Sequence, residues 1–157
     1  MENKLRVRKI RNGTVIDHIP AGLALDVLKI LNITGKEGVV VAVVMNVDSK
    51  KLGKKDIVKI EDVYLDEKTV NKIALIAPSA TINIVKEYNV VSKRRVEIPL
   101  KVRGILKCIN PNCITNQPRE PIESSFTVIS RKPIVIKCDY CGAIMSYQEI
   151  FQQLVSE

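Results

Sequence analysis

Tryptophan is absent from this chain of 157 residues, histidine occurs once, and aromatic residues make up only 4% of it. His18 is therefore the sole imidazole, and a Ser-His-Asp or Cys-His relay can be built only through it, with no hydroxyl or thiol partner apparent. Tyr64 and Tyr88 are the only aromatic residues before residue 100, so no stacking platform for single-stranded nucleic acid is visible. The longest apolar run, Gly38 to Val47, falls far short of the ~20 residues a membrane helix needs, and no apolar segment follows the Lys-rich N-terminus. Neither a Walker A motif nor a GxGxxG stretch is present, so a bound nucleotide would be held by side chains and strand edges, with nothing to suggest hydrolysis. The expectation is a cytoplasmic, non-enzymatic chain without a membrane partner.

Cysteine is also scarce, but its four copies are arranged. They form Cys108-x4-Cys113 and Cys138-x2-Cys141, with Asn110-Pro111-Asn112 inside the first pair and Gly142 behind the second. Two such pairs, brought together by folding, place four thiolates around a tetrahedral Zn²⁺ at about 2.3 Å per sulfur. Such a site has no open position for a catalytic water, so the metal would be structural. Two disulfides and a four-thiolate iron-sulfur cluster are the alternatives, the first requiring an oxidising compartment. Confinement of the quartet to the last third implies two domains, divided as 1–98 and 99–157, the smaller needing a metal staple because so short a segment buries little core.

The formal net charge is +8, and it is unevenly placed. Residues 1–99 hold 18 Lys/Arg against 12 Asp/Glu, and residues 100–157 hold 7 against 5. A zinc ion in four thiolates adds about −2 to the second part and cancels its excess. A zinc-ribbon module for nucleic acid, the main alternative function, would carry its basic face on the zinc half instead. No nucleic-acid partner is expected.

Along the chain, Thr14-Val15-Ile16 reads as a strand running into Asp17-His18-Ile19-Pro20. Leu23 to Leu31 has helical periodicity, and Val39 to Val44 reads as a strand buried on both faces. Ser49 to Lys55 reads as a solvated basic loop before a strand at Ile57 to Ile60. Asp66 stands where an N-cap belongs, a helix follows to Ala77, and Ala80 to Val85 alternates as a strand. The order βαββαβ predicts an α+β, ferredoxin-like domain. Lys93 to Arg103 reads as the connection. Short strands at Gly104–Lys107 and Ile134–Lys137 lead into the cysteine pairs of a small antiparallel β domain packed around Phe126, Val128 and Ile136, and Tyr147 to Val155 closes as a helix. His18, beside Asp17 at a strand end, with Lys55, Lys59 and Lys93 near the same sheet edge, is a candidate anion site.

Three further stretches carry a resemblance: Arg11 to Gly22 (RNGTVIDHIPAG), Gly53 to Glu61 (GKKDIVKIE) and Ile73 to Thr81 (IALIAPSAT). Together with the cysteine quartet and its Asn-Pro-Asn insert, they resemble the aspartate carbamoyltransferase regulatory chain over nearly the whole length. The resemblance implies an allosteric nucleotide-binding domain and a zinc-binding domain that docks on the catalytic chain, in pyrimidine biosynthesis. The implied effectors are CTP and ATP, with UTP a third candidate. The implied partners are catalytic trimers and a second regulatory chain. It further implies that Lys93 and His18 bind phosphate and that Asp17 with Lys59 holds the ribose. The implied base pocket is Val7, Ile10, Val15, Asn83, Tyr88 and Val90, where the main chain around Ile10 and Tyr88 reads the exocyclic amine. Cys108, Cys113, Cys138 and Cys141 are the implied zinc ligands, and Asn110 and Asn112 face the catalytic chain. Ile76 departs from the tyrosine familiar at that position. The basic arm Arg6, Arg8, Lys9 and Arg11 is a further departure, which raises a second, Mg²⁺-linked nucleotide there.

Overall fold

A computed structural model of the chain describes residues 9–119 and 121–156, so Val7, Arg6 and Arg8 lie outside the described residues. The first half runs β1 (Gly13–Pro20), α1 (Ala24–Ile30), β2 (Val41–Ser49), β3 (Gly53–Glu61), α2 (Glu67–Ile76), β4 (Thr81–Lys86) and β5 (Asn89–Arg95). These strands form one antiparallel sheet in the order β2-β3-β1-β4-β5. Its first four are the expected ferredoxin-like unit. Ile16, Val58, Ile60 and Ile82 alternate onto one face and pack with Val27 and Ile30 of α1 and Val70, Ile73 and Ala74 of α2 in a single core. Both helices thus cover the same side of the sheet, and among the described residues no helix lies on the opposite side.

Local chemistry explains the element ends. Asp66 caps α2 by accepting from the Thr69 amide at 2.8 Å. At the start of α1 the acceptor comes from elsewhere: Asp56 of β3, fully buried, takes the Gly22 and Ala24 amides at 2.8 and 3.0 Å on one oxygen and the Asn46 amide at 2.9 Å on the other. A buried carboxylate is tolerable only with such partners.

The second half contains β6 (Lys101–Arg103), β7 (Ser125–Arg131), β8 (Ile134–Cys138), β9 (Ile144–Ser146) and α3 (Tyr147–Val155). Its sheet has the order β6-β7-β8-β9, with Phe126, Ile136 and Met145 fully buried. A capping box of Ser146 and Glu149 starts α3, whose Ile150 is fully buried and whose Phe151 and Leu154 pack onto the common core beside α1 and α2.

Four local expectations are corrected. The Ser49 to Lys55 stretch is mostly strand, because β2 and β3 pair to their ends (Asp48 with Lys54, Ser49 with Gly53) around a turn made left-handed at Gly53, φ 79°. Lys93 to Arg95 belongs to the added strand β5, where its exposed charges suit a sheet edge. The strand near the first cysteine pair is Lys101–Arg103, since Gly104 turns the chain at φ 66°. Finally, β2 is a half-buried edge strand, with Val40 just before it 60% exposed, and it is not enclosed on both faces.

Candidate anion site and metal centre

On the helix-free face, strand register lines up four of the expected residues. Lys59 of β3 sits opposite Val15 of β1, Val15 opposite Asn83 of β4, and Asn83 opposite Lys93 of β5. The row crosses three strand spacings, roughly 14 Å, wider than a single phosphate needs. Asn83 is nearly buried, and its amide points at the Val15 carbonyl at 3.4 Å.

Asp17 and His18 occupy a bulge in β1, where the pairing with β3 slips between Ile16 and Ile19. His18 is left-handed there, at φ 57°, a costly state for a non-glycine residue and one that clusters at functional sites. The bulge brings both side chains to the same side. The His18 amide donates to Asp17 at 2.6 Å, His18 Nδ1 lies 3.1 Å from Thr81 Oγ1, and the Ser79 hydroxyl donates to the His18 carbonyl at 2.8 Å. Lys55 Nζ meets Asp17 Oδ1 at 2.9 Å.

The electrostatics favour an anion. Burial pushes the His18 pKa down, the Asp17 carboxylate opposes this, and the cations Lys55, Lys51 and Lys93 lower it further. Asp17 itself is held below the usual carboxylate range: burial acts against ionisation, and the Lys55 ammonium with the His18 amide outweighs it. Ile10, buried, leads into β1, while Tyr88 and Val90 lie exposed at the β4–β5 hairpin. Lys55, expected among the cations of this sheet edge but at the end of a solvated loop, lies within β3 on the same face as Lys59, whereas Thr81 and Ser79 had no expected role.

The four cysteines converge. Their Sγ atoms all lie within 4.8 Å of one another, with Cys108 to Cys141 at 3.5 Å and Cys113 to Cys138 at 3.7 Å. A tetrahedron with arms of about 2.3 Å has edges of about 3.8 Å, so the donor set fits one metal ion. Disulfides, with sulfurs about 2 Å apart, do not describe it. The Gly142 amide donates to the Cys138 carbonyl at 3.0 Å, and Asn116 Nδ2 donates to the Cys108 and Asn110 carbonyls at 2.9 and 2.7 Å, which fixes both knuckles. Burial pushes the Cys108 thiol up to about 12, while the Ala143 amide and Asn110 draw exposed Cys141 down to about 6.

Asp139, between the last two ligands, accepts from the hydroxyls of Ser125 (2.6 Å) and Thr127 and from Lys101 Nζ (3.1 Å), which hold its carboxyl at about 2. It ties the ligand loop to β6 and β7. Asn110 is half-buried within the first knuckle, and its side chain accepts from the Asn112 amide at 3.0 Å, whereas Asn112 is exposed. Ile109 and Ile114, 47% and 43% exposed, flank them.

Two family models match the chain. One, described as aspartate carbamoyltransferase regulatory chain, allosteric domain, covers residues 5–97, and the other, the metal binding domain of the same chain, covers residues 100–151. Among curated proteins, the aspartate carbamoyltransferase regulatory chain of Thermofilum pendens is 62% identical over 156 residues, 99% of this chain and 98% of its own. That of Korarchaeum cryptofilum is 61% identical over 154 residues, 98% of each chain, and that of Hyperthermus butylicus is 61% identical over 150 residues, 96% of this chain and 94% of its own.

Proposed function

Given that the chain belongs to the aspartate carbamoyltransferase regulatory chain family, we propose that it binds nucleoside triphosphates on the helix-free sheet face and passes their signal to the catalytic chain. CTP and ATP are the chief ligands of this reading, and UTP is a third. The observation that carries it is the cationic row across the sheet, Lys59 and Lys93 flanking Val15 and Asn83, beside the strained Asp17-His18 bulge. Lys93 and His18 take phosphate oxygens through charge-assisted hydrogen bonds, Asp17 and Lys59 hold the ribose, and Lys55 keeps Asp17 ionised and oriented. The base lies over Val15, Asn83 and Val90, with the main chain at Ile10 and Tyr88 at its polar edge, and Val7 is the remaining expected member of the pocket.

In this reading residues 1–98 form the allosteric domain and residues 99–157 the metal domain, which docks through Asn110 and Asn112. The metal is Zn²⁺, held by Cys108, Cys113, Cys138 and Cys141; when bound it supplies a structural cross-link and no reaction step. Two regulatory chains pair through β2. Its edge is apolar from Val41 to Met45, while the other edge, β5, carries Lys93, Arg94 and Arg95, the usual protection against pairing. Among the described residues no helix is long and apolar enough to cross a membrane, and a cytoplasmic site of action is proposed with the pathway.

Calorimetric titration of the zinc-loaded chain with CTP tests the reading. Saturable binding at moderate salt is expected. Absence of CTP binding, together with oligonucleotide binding that falls steeply with salt, would replace it with a nucleic-acid module.

A further inference from the structure

We propose that Arg11 and Glu87 are positioning residues for nucleobase discrimination, clamping together the two main-chain stretches at the base end of the anion site. The inference rests on the nucleotide reading above. Its starting point is the β4–β5 hairpin, whose two-residue turn joins Lys86 to Asn89 and has Glu87 at φ 49° and Tyr88 at φ 68°. A turn left-handed at both central positions favours Asn and Gly, and neither Glu nor Tyr suits it. Such a conformation persists only where its surroundings over-determine it.

The surroundings here are the residues leading into β1. Arg11 grips Glu87 with a two-pronged fork, Nε to Oε2 at 3.1 Å and a terminal nitrogen to Oε1 at 3.2 Å. Asn12 Oδ1 accepts the Glu87 amide at 3.1 Å, and the Arg11 carbonyl accepts the Tyr88 amide at 2.9 Å. The two side chains of the fork are more than 60% exposed, so as an ion pair it contributes little to global stability. Its effect is local and geometric. It spans the gap between the segment carrying Ile10 and the turn carrying Tyr88, and so sets the spacing of the main-chain groups that face a base. The phosphate end, at Lys93 and His18, does not depend on it.

The test uses the full-length, zinc-loaded chain and titrates CTP, ATP and inorganic tripolyphosphate into the wild type, Arg11→Gln, Glu87→Gln and the charge-exchanged double variant R11E/E87R. A clamp predicts that both single variants weaken CTP several-fold and narrow the CTP-to-ATP ratio, while tripolyphosphate affinity changes less than about twofold and the exchanged pair recovers most of the loss. A bare field effect predicts opposite signs, since losing Arg11 weakens anions and losing Glu87 strengthens them; that pattern overturns the proposal, as does unchanged CTP binding in both singles. Hydrogen exchange of the Tyr88 amide gives a readout free of nucleotide, and it should quicken in both single variants; unchanged exchange contradicts the clamp. Failure of the wild type to bind CTP would instead refute the underlying nucleotide reading.

Discussion

The phenolic hydroxyl of Tyr147, the first residue of α3, donates to the main-chain carbonyl of Ile76, the last residue of α2, at 3.1 Å. Burial, aided by the Asp26 carboxylate, pushes the Tyr147 phenol above its usual value, so it remains a donor at neutral pH. The bond joins the metal half to the end of a helix that packs against the sheet carrying the candidate anion site. Ile76 itself is buried, and its side chain fills the core where the resemblance led to expecting a tyrosine. A hydroxyl nevertheless reaches this helix end, supplied by the other half of the chain.

Replacing Tyr147 with Phe keeps the ring packing against Phe151 and removes only this bond. A loss of about 1 kcal/mol in unfolding free energy is expected. In complexes with catalytic chains the same variant should bind CTP normally and transmit less of its effect. Denaturant melts and aspartate saturation curves check the two parts; an unchanged nucleotide response would show that α2 and α3 communicate by packing alone.

Lys93→Ala should weaken CTP binding by about 1.5–3 kcal/mol, the range for a lost charge-assisted bond. Lys50→Ala, in the β2–β3 turn, removes only screened attraction and should change it little. Lys55→Ala belongs with the first group, because its partner Asp17 lies in the site. Equal losses at Lys93 and Lys50 in calorimetry would leave only a diffuse basic surface.

His18 supplies a pH signature. Burial lowers its pKa in the free chain, so it is neutral near pH 7, and a triphosphate bound as proposed would raise it again. Binding therefore takes up a proton, and affinity should climb as pH falls from 7.5 toward 6, by at most about tenfold per unit for one proton. In His18→Gln the slope should flatten to whatever the nucleotide's own terminal phosphate contributes. Identical slopes in both proteins would remove His18 from the phosphate contacts.

Cys141→Ser or chelation of the metal should unfold the C-terminal half and abolish docking on catalytic chains, because the free energy of binding zinc, of order 10–16 kcal/mol in small zinc modules, is folding free energy there. The N-terminal sheet should survive, still visible by circular dichroism. Assembly that persists after a mercurial has displaced the metal would contradict this.

Val44→Lys places a charge on the apolar edge strand β2, opposite Ile57 and away from the core that Val43 packs against, and should turn a regulatory dimer into monomers at micromolar concentration. Sedimentation velocity reads the outcome directly. A wild-type chain that is monomeric with CTP and zinc present would rule out the β2 pairing.

Much of the fold was legible because local signals agreed with the global one: the Asp66 cap, the alternation of Ile82 and Ile84, and the paired cysteines each announce an element through a short-range rule. The misses share a cause. Lys93, Arg94 and Arg95 look like a linker because every residue of the edge strand β5 is exposed, so no buried face imposes an apolar alternation on it. Lys55 looks like a loop residue until its register with Pro20 places it beside the Asp17 bulge. Asp56, a lone acid in a basic stretch, gives no hint that it ends up fully buried and capping α1. Each depends on which residue of a distant strand lies opposite, and that information is tertiary.

The most direct measurement is aspartate saturation of the complex assembled from this chain, zinc and catalytic trimers from the same source, with and without saturating CTP and ATP. A coupling free energy of about 1–3 kcal/mol corresponds to a shift in half-saturating aspartate from severalfold upward, and at least one nucleotide should produce it, with Lys93→Ala abolishing the response at the same nucleotide concentration. A saturation curve that stays fixed under both nucleotides, in a complex shown to be fully assembled, would contradict the proposed role.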